Sequence, residues 1–362
     1  MSKKKIMVAL SGGVDSSVAA ALLLEQGYDV SAAYMKNWIN EDDILGDCPW
    51  QQDVEDATAV AETLGIPFEV VNLMDAYKSR IVDYLLKGYE EGITPNPDVM
   101  CNREIKFGVF REWALGKGFD TVATGHYARS RVNASGKREI LMGLDPNKDQ
   151  TYFLAMMKPD QVQAARFPIG DLLKPDVRAV AERFGLSTAT KKDSQGICFI
   201  GQIKMSDFLS AYLPDEPGNI VSQDGKVLGT HRGLHFYTLG QRKGIGVASN
   251  TYKKSYVVVE KRKETRELVI AFDERDTPHL YSTSCEIREL SFTGEPIVEA
   301  CEIQARPRYR AQSEAITYTP LAEGVARIEW HQPQRAIAKG QICALYDGEV
   351  LLGGGIYTEI WD

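Results

Sequence analysis

Short apolar segments alternate with helix-like segments along the first 200 residues, and this alternation restricts the possible folds most. A strand-like segment at 6–10 is followed by an Ala- and Leu-rich helical segment at 14–25 and a second strand-like segment at 28–35. The alternation continues in five further segments, at 51–64, 68–71, 76–91, 104–115 and 119–123. Strands separated by helices are typical of a parallel sheet with crossover connections. We therefore predict a doubly wound α/β domain that binds its ligand at the carboxyl ends of the strands.

The pattern changes after about residue 200, where Pro214, Pro217 and Gly218 mark a boundary. Beyond it, β-branched and aromatic residues alternate with polar ones in five short segments, at 255–260, 267–271, 315–319, 326–330 and 342–346. Such spacing is typical of antiparallel sheets and barrels. We divide the chain into an α/β domain at 1–204, a small central module at 205–275 and a C-terminal antiparallel β-barrel at 276–362.

Composition excludes a membrane protein and a disulfide scaffold. The chain of 362 residues has no apolar stretch long enough to span a bilayer. Its N-terminal apolar run, 6–10, is too short for a signal peptide and meets glycines instead of a cleavage site, so we expect a cytoplasmic protein. The six cysteines show no CxxC spacing, which argues against a zinc site. His231 and His235 lack a third partner, so we expect no metal bound by protein ligands alone.

Charge is distributed unevenly along the chain. The net charge is −8, which argues weakly against a polyanionic partner. Acidic residues crowd the segment 41–56, however, whereas basic residues cluster at 242–263 and 306–310. Such asymmetry allows a polyanion to dock on one side.

The segment Ser11-Gly12-Gly13-Val14-Asp15-Ser16-Ser17 lies between the first strand and its helix. Glycines let the backbone approach an oxyanion, hydroxyls add donors, and the helix N-terminus supplies free N–H groups. The segment lacks the Walker A lysine and the GxGxxG fingerprint. A serine-capped Gly-Gly turn is the alternative, but the position between strand and helix favours a phosphate cradle. Asp15 either meets Mg²⁺ or caps the helix, and both remain open.

This segment resembles the PP-loop of the ATP pyrophosphatases, an adenine nucleotide alpha hydrolase-like group that cleaves ATP between the α and β phosphates. Further segments resemble the tRNA-specific 2-thiouridylase family: 34–38, 96–102, 123–128, 148–153, 193–200, 237–246, 306–310 and 353–355. The resemblance covers nearly the whole chain. It implies ATP-dependent 2-thiolation of the wobble uridine of tRNA, by adenylation of the carbon-2 oxygen and its replacement by sulfur.

The resemblance implies a role for each matching position. Cys101 is the implied nucleophile, and Cys198 carries the sulfur as a persulfide; on chemical grounds we add Asp98 as a candidate catalytic residue. The implied ATP contacts are Ala9, Leu10, Ser11, Gly12, Gly13, Val14, Asp15, Ser16, Ser17, Met35 and Gly125. The implied contacts with the target base are Asn96, Pro97 and Asp98. The implied tRNA contacts are His126, Lys148, Asp149, Gln150, Arg308, Tyr309 and Gln341.

The chemistry explains why two thiols are needed. The uracil oxygen is a poor leaving group, and adenylation converts it to departing AMP while Mg²⁺ and the loop hold pyrophosphate. A persulfide on one cysteine then delivers sulfur, and the second cysteine attacks the ring or the persulfide. We expect the helix to start just after Cys101, which would lower the pKa of its thiol. Asp98 is either an acid or base for the ring or a helix cap.

The sequence also allows predictions about the remaining cysteines and the binding partners. Cys48, Cys285, Cys301 and Cys343 have no comparable motif, so we expect inert thiols. We expect a monomer that receives sulfur from a cysteine desulfurase or a sulfur relay protein. Two other functions stay open: a PP-loop amide ligase acting on a small carboxylate, and a non-catalytic ATP-dependent tRNA binder.

Overall fold

The computed structural model describes residues 3–38, 50–192, 203–249, 251 and 254–362. The predicted order of strands and helices is confirmed at the start of the chain, where β1 (Lys5–Ala9), α1 (Val14–Glu25) and β2 (Asp29–Lys36) follow one another. The next elements are α2 (Trp50–Leu64), β3 (Phe68–Asn72), α3 (Met74–Tyr77), a π-helical stretch (Lys78–Val82) and α4 (Asp83–Glu90). Then come α5 (Pro97–Cys101), a π-helical stretch (Asn102–Val109), α6 (Phe110–Gly116) and β4 (Thr121–Ala123).

The first sheet is parallel, with the strand order β3-β2-β1-β4-β7, where β7 is Ala165–Arg166. Successive residues of β1 face opposite sides of this sheet. Met7 and Ala9 pack into one buried cluster, whereas Ile6 and Val8 pack into another. A strand buried on both faces must be apolar at every position, which explains the continuous apolar run of β1.

Among the described residues, three α-helices lie between β4 and the strands of the central module. They are α7 (Pro159–Ala164), α8 (Lys174–Arg183) and α9 (Met205–Tyr212), and a 3-10 helix covers Thr151–Leu154. The N-terminus of α8 follows Leu173, and Val177 and Ala181 of α8 pack into the same cluster as residues of α1. Helix α8 therefore lies beside the first helix of the sheet.

The central module contains a four-stranded sheet. Its strands are β8 (Gly218–Ser222), β9 (Val227–His231), β10 (Tyr256–Arg262) and β11 (Glu267–Phe272), in the order β10-β11-β8-β9. His231 is the last residue of β9, whereas His235 lies in a 3-10 helix at Leu234–Phe236, so the two histidines lie on different elements.

The predicted C-terminal barrel is confirmed. Its strands are β12 (Tyr281–Phe292), β13 (Cys301–Arg306), β14 (Glu314–Ala322), β15 (Val325–Arg335), β16 (Ile342–Asp347) and β17 (Val350–Trp361). All neighbouring pairs are antiparallel, and pairing of β12 with β17 closes the ring. Closure pairs the two strands that would be the edges of an open sheet.

A hairpin from the first 204 residues extends the barrel sheet, and the sequence analysis missed it. Its strands are β5 (Ala128–Val132) and β6 (Arg138–Met142), and β6 pairs with β17 through Leu141 and Val350. Ile342 and Ala344 of the barrel also share a buried cluster with residues of the parallel sheet. Because backbone and core are both shared, the barrel is fixed against the α/β part. The three-way division of the chain stays a prediction.

A buried ion pair strengthens this junction. The Arg306 guanidinium at the end of β13 donates to the Asp149 carboxylate, and both side chains are largely buried. Asp149 also accepts from the Gly143 N–H at 2.7 Å and from the Thr151 hydroxyl at 2.9 Å.

Within the described ranges, no helix has the length and apolar character needed to cross a membrane.

Replacement of Asp149 by Ala should destabilise the protein by about 3–5 kcal/mol, because it leaves the Arg306 charge buried without its partner. The measurement is the free energy of unfolding in urea. Glu25→Ala is the matched control, since it breaks a pair with Arg183 in which both side chains are about half exposed. That loss should be below about 1 kcal/mol. Equal losses in the two variants would contradict a supporting role for the buried pair.

Candidate active site

The loop after β1 lies where the strand order reverses. From β1 the chain continues to β2 and β3 on one side, whereas β4 lies on the other side of β1. The segments that follow β1 and β4 therefore flank the crevice in which doubly wound sheets bind ligands. The glycine-serine segment 11–17 follows β1, and Gly125 follows β4. The fold thus brings two separately predicted parts of the nucleotide site to one crevice.

Serine hydroxyls hold this loop in shape. The Ser11 N–H donates to the Ser16 hydroxyl at 3.1 Å. The hydroxyls of Ser16 and Ser17 donate to the Gly13 carbonyl at 3.0 and 2.8 Å. Gly12 has a φ of +73°, a conformation that strains any residue with a side chain. The hydroxyls therefore fold the loop over the first turn of α1.

The N-terminus of α1 is open to a ligand. Its N-cap is Gly13, and no side chain of the described residues caps it. A helix N-terminus with free N–H groups and the positive end of the dipole favours anions. A Cβ atom at Gly125 would lie 2.5 Å from the Ser16 nitrogen. Only glycine allows this approach, so the segment after β4 forms a wall of the same cradle.

Two side chains bind Asp15. Neither contact was among the two roles expected for it, a contact with Mg²⁺ and a helix cap. The Tyr127 hydroxyl donates to Asp15 Oδ1 at 2.8 Å, and the Lys174 ammonium donates to the same oxygen at 2.7 Å. Lys174 lies at the N-terminus of α8. A lysine next to this carboxylate reduces the repulsion that a bound phosphate would meet.

Four apolar residues of the predicted nucleotide site are buried, and they are Ala9, Leu10, Val14 and Met35. Met35 lies near the end of β2 and shares a cluster with Ala9, whereas Leu10 packs into the cluster on the opposite face. Val14 is also buried, in the first turn of α1. Ala9 and Met35 therefore lie on the same face as Cys101, which belongs to their cluster.

The helix that carries Cys101 begins earlier than predicted. Asn96 is its N-cap and accepts from the Val99 N–H at 3.2 Å, and Pro97 is its first residue. Cys101 is the last residue of α5, and a π-helical stretch continues directly from it. The expected helix start just after Cys101 is therefore wrong. The argument that a helix N-terminus lowers the pKa of its thiol loses its basis, because the dipole effect fades beyond the first turn.

The same geometry decides part of the question about Asp98. Because Asn96 caps the helix, Asp98 is not its N-cap. It lies in the first turn and is partly exposed, whereas Pro97 and Cys101 are buried. Cys198 lies outside the described residues, as does Cys48.

The other cysteines have the character of inert thiols. Cys285 and Cys343 are fully buried in the barrel, and burial raises the pKa of both, that of Cys343 to about 12. Cys301 is partly exposed, and desolvation raises the pKa of its thiol as well. A thiol with a raised pKa offers little thiolate at neutral pH.

The barrel contacts the segment that carries Asn96. The Gln341 amide donates to the carbonyls of Thr94 and Pro95 at 2.8 and 3.2 Å. The Asn96 amide donates to Gln341 Oε1 at 3.3 Å, and the Thr94 N–H donates to the Lys339 carbonyl at 2.9 Å. Gln341 thus binds the start of α5 from the barrel side.

His126, Asp149 and Gln150 are bound within the protein. His126 is buried, its Nδ1 lies 2.7 Å from the Thr124 hydroxyl, and Phe107 and Phe167 pack against its ring. Asp149 belongs to the buried pair with Arg306. Gln150 accepts from the Tyr127 N–H at 3.0 Å. These three residues therefore support the crevice wall in this structure.

Three of the predicted tRNA contacts are accessible in part. Arg308 is exposed and donates to the Arg335 carbonyl at 2.6 Å. Tyr309 is half-buried, and its ring centroid lies 4.4 Å from that of Phe153. Lys148 is partly exposed as well.

Several residues of the basic clusters are already paired with acids. Arg242 meets Asp273, Lys254 meets Glu274, and Arg262 meets Glu260 and Glu267. Paired charges contribute less to the attraction of a polyanion. The number of basic residues in a segment therefore overstates its positive field.

Three residues that hold the phosphate loop had no predicted role in it: Tyr127, Lys174 and Lys191. Their partners lie 112, 159 and 179 residues away along the chain. No local pattern signals such contacts, because the fold alone brings these side chains to the loop.

Comparison with known proteins shows which family this chain belongs to. The model of the tRNA methyl transferase HUP domain matches residues 4–202. The tRNA methyl transferase PRC-barrel domain matches 206–272, and the aminomethyltransferase beta-barrel domain matches 282–357. A tRNA-specific 2-thiouridylase MnmA of Akkermansia muciniphila is 57% identical over 356 residues, which cover 98% of this chain and 99% of that protein. The chain belongs to the tRNA-specific 2-thiouridylase family.

A second relative supports the same assignment. The tRNA-specific 2-thiouridylase MnmA of Neisseria meningitidis serogroup C is 47% identical over 97% of this chain and 94% of that protein. The family resemblance seen in the sequence is thus confirmed across all three parts of the chain.

The pH dependence of stability should report the burial of His126. Burial lowers the pKa of His126 well below its usual value, and the charge of Lys106 lowers it further. The unfolded chain binds a proton near pH 6.5 while the folded chain does not, so stability should fall as the pH decreases through that range. In His126→Gln, the slope of unfolding free energy against pH below about 7 should be shallower than in the wild type. An unchanged slope would show that His126 titrates normally in the folded protein.

Proposed function

We propose that the chain is an ATP-dependent tRNA 2-thiouridylase that acts on the wobble uridine. The observation that carries this proposal is the 57% identity, over almost the full length of both chains, to a protein named as a tRNA-specific 2-thiouridylase. The crevice supports it, because a phosphate cradle and the Cys101 helix contribute to one α/β core. The descriptions of the matching families refer to methyl transfer, so the test below must detect sulfur directly.

The cradle fits the phosphates of ATP as substrate. The uncapped N-terminus of α1 and the close approach of Gly125 supply backbone N–H groups at a surface that a side chain would block. The proposed contacts are Ala9, Leu10, Ser11, Gly12, Gly13, Val14, Asp15, Ser16, Ser17, Met35 and Gly125. Among the described residues, no group of three or more His, Cys, Asp or Glu side chains is placed to hold a metal. Mg²⁺ bound with ATP would neutralise part of the charge of the phosphates.

The target base would meet Asn96, Pro97 and Asp98. Asn96 is fixed by its bond to the Val99 N–H and by Gln341, so the turn is held before a base arrives. Asp98 is not the helix cap and lies partly exposed in the first turn, and we assign its carboxylate to proton transfer with the ring. A base of the anticodon loop is turned out of its stack more easily than a paired one.

The reaction has two covalent stages. The carbon-2 oxygen of uracil attacks the α-phosphorus of ATP, a P–O bond forms, and the bond to the β phosphate breaks to release pyrophosphate. Sulfur then attacks carbon 2, the C–S bond forms, and the C–O bond breaks to release AMP. The sulfur is the terminal atom of a Cys198 persulfide, delivered directly or as sulfide, and the Cys101 thiolate attacks the inner sulfur of Cys198. A Cys101–Cys198 disulfide forms, and a thiol reductant reopens it.

Cys101 imposes one condition on this scheme. Its side chain is fully buried, so no substrate atom can touch its sulfur in the described conformation. Bond formation therefore requires a local rearrangement around α5 when substrates bind. Accessibility of Cys101 to a thiol reagent should increase with tRNA and ATP present.

The proposed tRNA contacts are His126, Lys148, Asp149, Gln150, Arg308, Tyr309 and Gln341. Arg308 is the most direct of these, because it is exposed, whereas His126 and Asp149 are buried and would act by shaping the crevice wall. The sulfur-donor protein, the monomeric state and the cytoplasmic location remain predictions from the sequence.

The decisive experiment combines the purified full-length chain with ATP, Mg²⁺, a persulfide donor and tRNA, followed by mass spectrometry of the nucleosides. Thiolated uridine and stoichiometric AMP are expected. Cys101→Ser and Cys198→Ser should each abolish thiolation, while Cys301→Ser, at a partly exposed cysteine of the barrel, should leave it unchanged. Full activity of both site variants would refute the two-cysteine mechanism. AMP release driven by a small carboxylate without RNA would favour the ligase, and tRNA binding without any modified nucleoside would favour the non-catalytic binder.

Salt dependence tests the contact of Arg308 with tRNA. Each phosphate contact releases counterions, so Arg308→Ala should lower the slope of log affinity against log salt by about 1. Filter binding or fluorescence anisotropy over a salt series gives this slope. Arg183→Ala is the control, because that guanidinium is paired with Glu25. An identical slope in wild type and Arg308→Ala would remove Arg308 from the interface.

A further inference from the structure

Lys191 connects the phosphate loop with helix α2. Its ammonium donates to the Gly12 carbonyl at 3.0 Å, to Asp53 Oδ1 at 2.8 Å and to Asp56 Oδ2 at 2.5 Å. A lysine has three N–H donors, and these three acceptors use all of them. Lys191 is therefore bound to the phosphate loop and to the first turns of α2 at once.

Hydrogen bonds also hold the main chain around Lys191. The Arg178 guanidinium of α8 donates to the carbonyls of Ala189 and Lys191, at 2.5 and 3.1 Å. The Lys191 N–H donates to the Thr188 carbonyl at 3.0 Å. The ammonium is thus delivered to the loop by a fixed backbone, although the residue lies far from the loop in sequence.

The contact with Gly12 orients the peptide that enters the cradle. A trans peptide holds its C=O and N–H groups on opposite sides, so a fixed Gly12 carbonyl also fixes the direction of the Gly13 N–H. The Asp53 backbone confines the same glycine, since a Cβ atom at Gly12 would lie 2.3 Å from the Asp53 carbonyl oxygen. Lys191 and α2 together determine where this part of the loop points.

The contact of Lys191 with the Asp53 and Asp56 carboxylates reduces the negative charge beside the phosphate loop. Asp53 and Asp56 place two negative charges beside a loop that must accept phosphates. Their side chains are about one-quarter exposed, so water screens them only in part. The Lys191 ammonium compensates part of this charge. Burial alone would lower the pKa of Lys191, but the hydrogen bonds and charges of both aspartates outweigh it and raise the pKa.

We propose that Lys191 is a positioning residue of the nucleotide site, which orients the phosphate loop through Gly12 and neutralises Asp53 and Asp56 without contacting the nucleotide. This inference rests on the proposed ATP-binding function and adds a residue to it. It predicts a specific defect. Loss of Lys191 should weaken binding of the phosphates and leave binding of the adenosine part unchanged.

The test compares Lys191→Met with Lys117→Met in the full-length protein. Both changes remove an ammonium bound to carboxylate, since Lys117 is paired with Glu69 at the surface. Calorimetric titration with Mg²⁺-ATP should show affinity reduced about 10- to 100-fold in Lys191→Met, the range for hydrogen bonds to charged groups. Lys117→Met should match the wild type. Adenosine affinity, measured by competition, should be equal in all three proteins.

A third variant separates charge from direct contact. Lys191→Met combined with Asp53→Asn and Asp56→Asn removes the ammonium and both carboxylates, so ATP affinity should recover in part. A triple variant as weak as Lys191→Met would overturn the charge-neutralising part of the proposal, because removal of both carboxylates would then bring no benefit. Equal loss of ATP and adenosine affinity would show a general folding defect and overturn it as well.

The outcomes for the inference and for the proposed function are distinguishable. If the wild type fails to bind ATP, the proposed function fails. If the wild type binds ATP and Lys191→Met binds it equally well, the inference alone fails. In the thiolation assay, the KM for ATP should rise in Lys191→Met while the KM for tRNA stays unchanged.

Discussion

The anion-binding loop after β1 must keep its backbone N–H groups accessible although acidic side chains surround it. The structure around the loop depends on this constraint. The backbone N–H groups at the start of α1 attract phosphate only if no protein acceptor occupies them, and Gly13 as N-cap meets that condition. Asp15, Asp53 and Asp56 lie around the same loop, and Lys174 and Lys191 bind them from the segment 174–191. A loop rich in glycine cannot keep its shape through its own side chains, so distant residues must supply the shape and the charge balance.

The same reasoning applies to the second half of the site. The turn that starts α5 is bonded to Val99 on one side and to Gln341 of the barrel on the other. Pairing of β6 with β17 and the buried pair of Arg306 with Asp149 hold the barrel where Gln341 reaches this turn. The barrel therefore acts on the site through a rigid junction. This arrangement gives Gln341 a structural role in addition to its proposed contact with tRNA.

Local patterns predicted the first four strands of the parallel sheet, but not the two-residue strand β7 at its edge. The bounds of α1 agree with prediction, and β1, β2 and β3 differ by a residue or two. β1 and most of β2 are apolar runs and α1 is rich in Ala and Leu, so the residues of these elements record their own burial. The hairpin of β5 and β6 was missed because its partner, β17, lies more than 200 residues away in the chain. The helix carrying Cys101 was placed too late, because the capping by Asn96 and the proline after it were not used as a start signal.

The sequence by itself determined the fold class, the position of the phosphate loop and the family, because each is recorded in contiguous residues with a characteristic period or motif. The tertiary structure alone decided how that loop is supported and which charged side chains are free. Tyr127, Lys174 and Lys191 reach the loop across more than 100 residues of chain. Hydrogen bonds and ion pairs act over a few ångströms in space, and a linear sequence carries no record of which distant atoms folding brings that close.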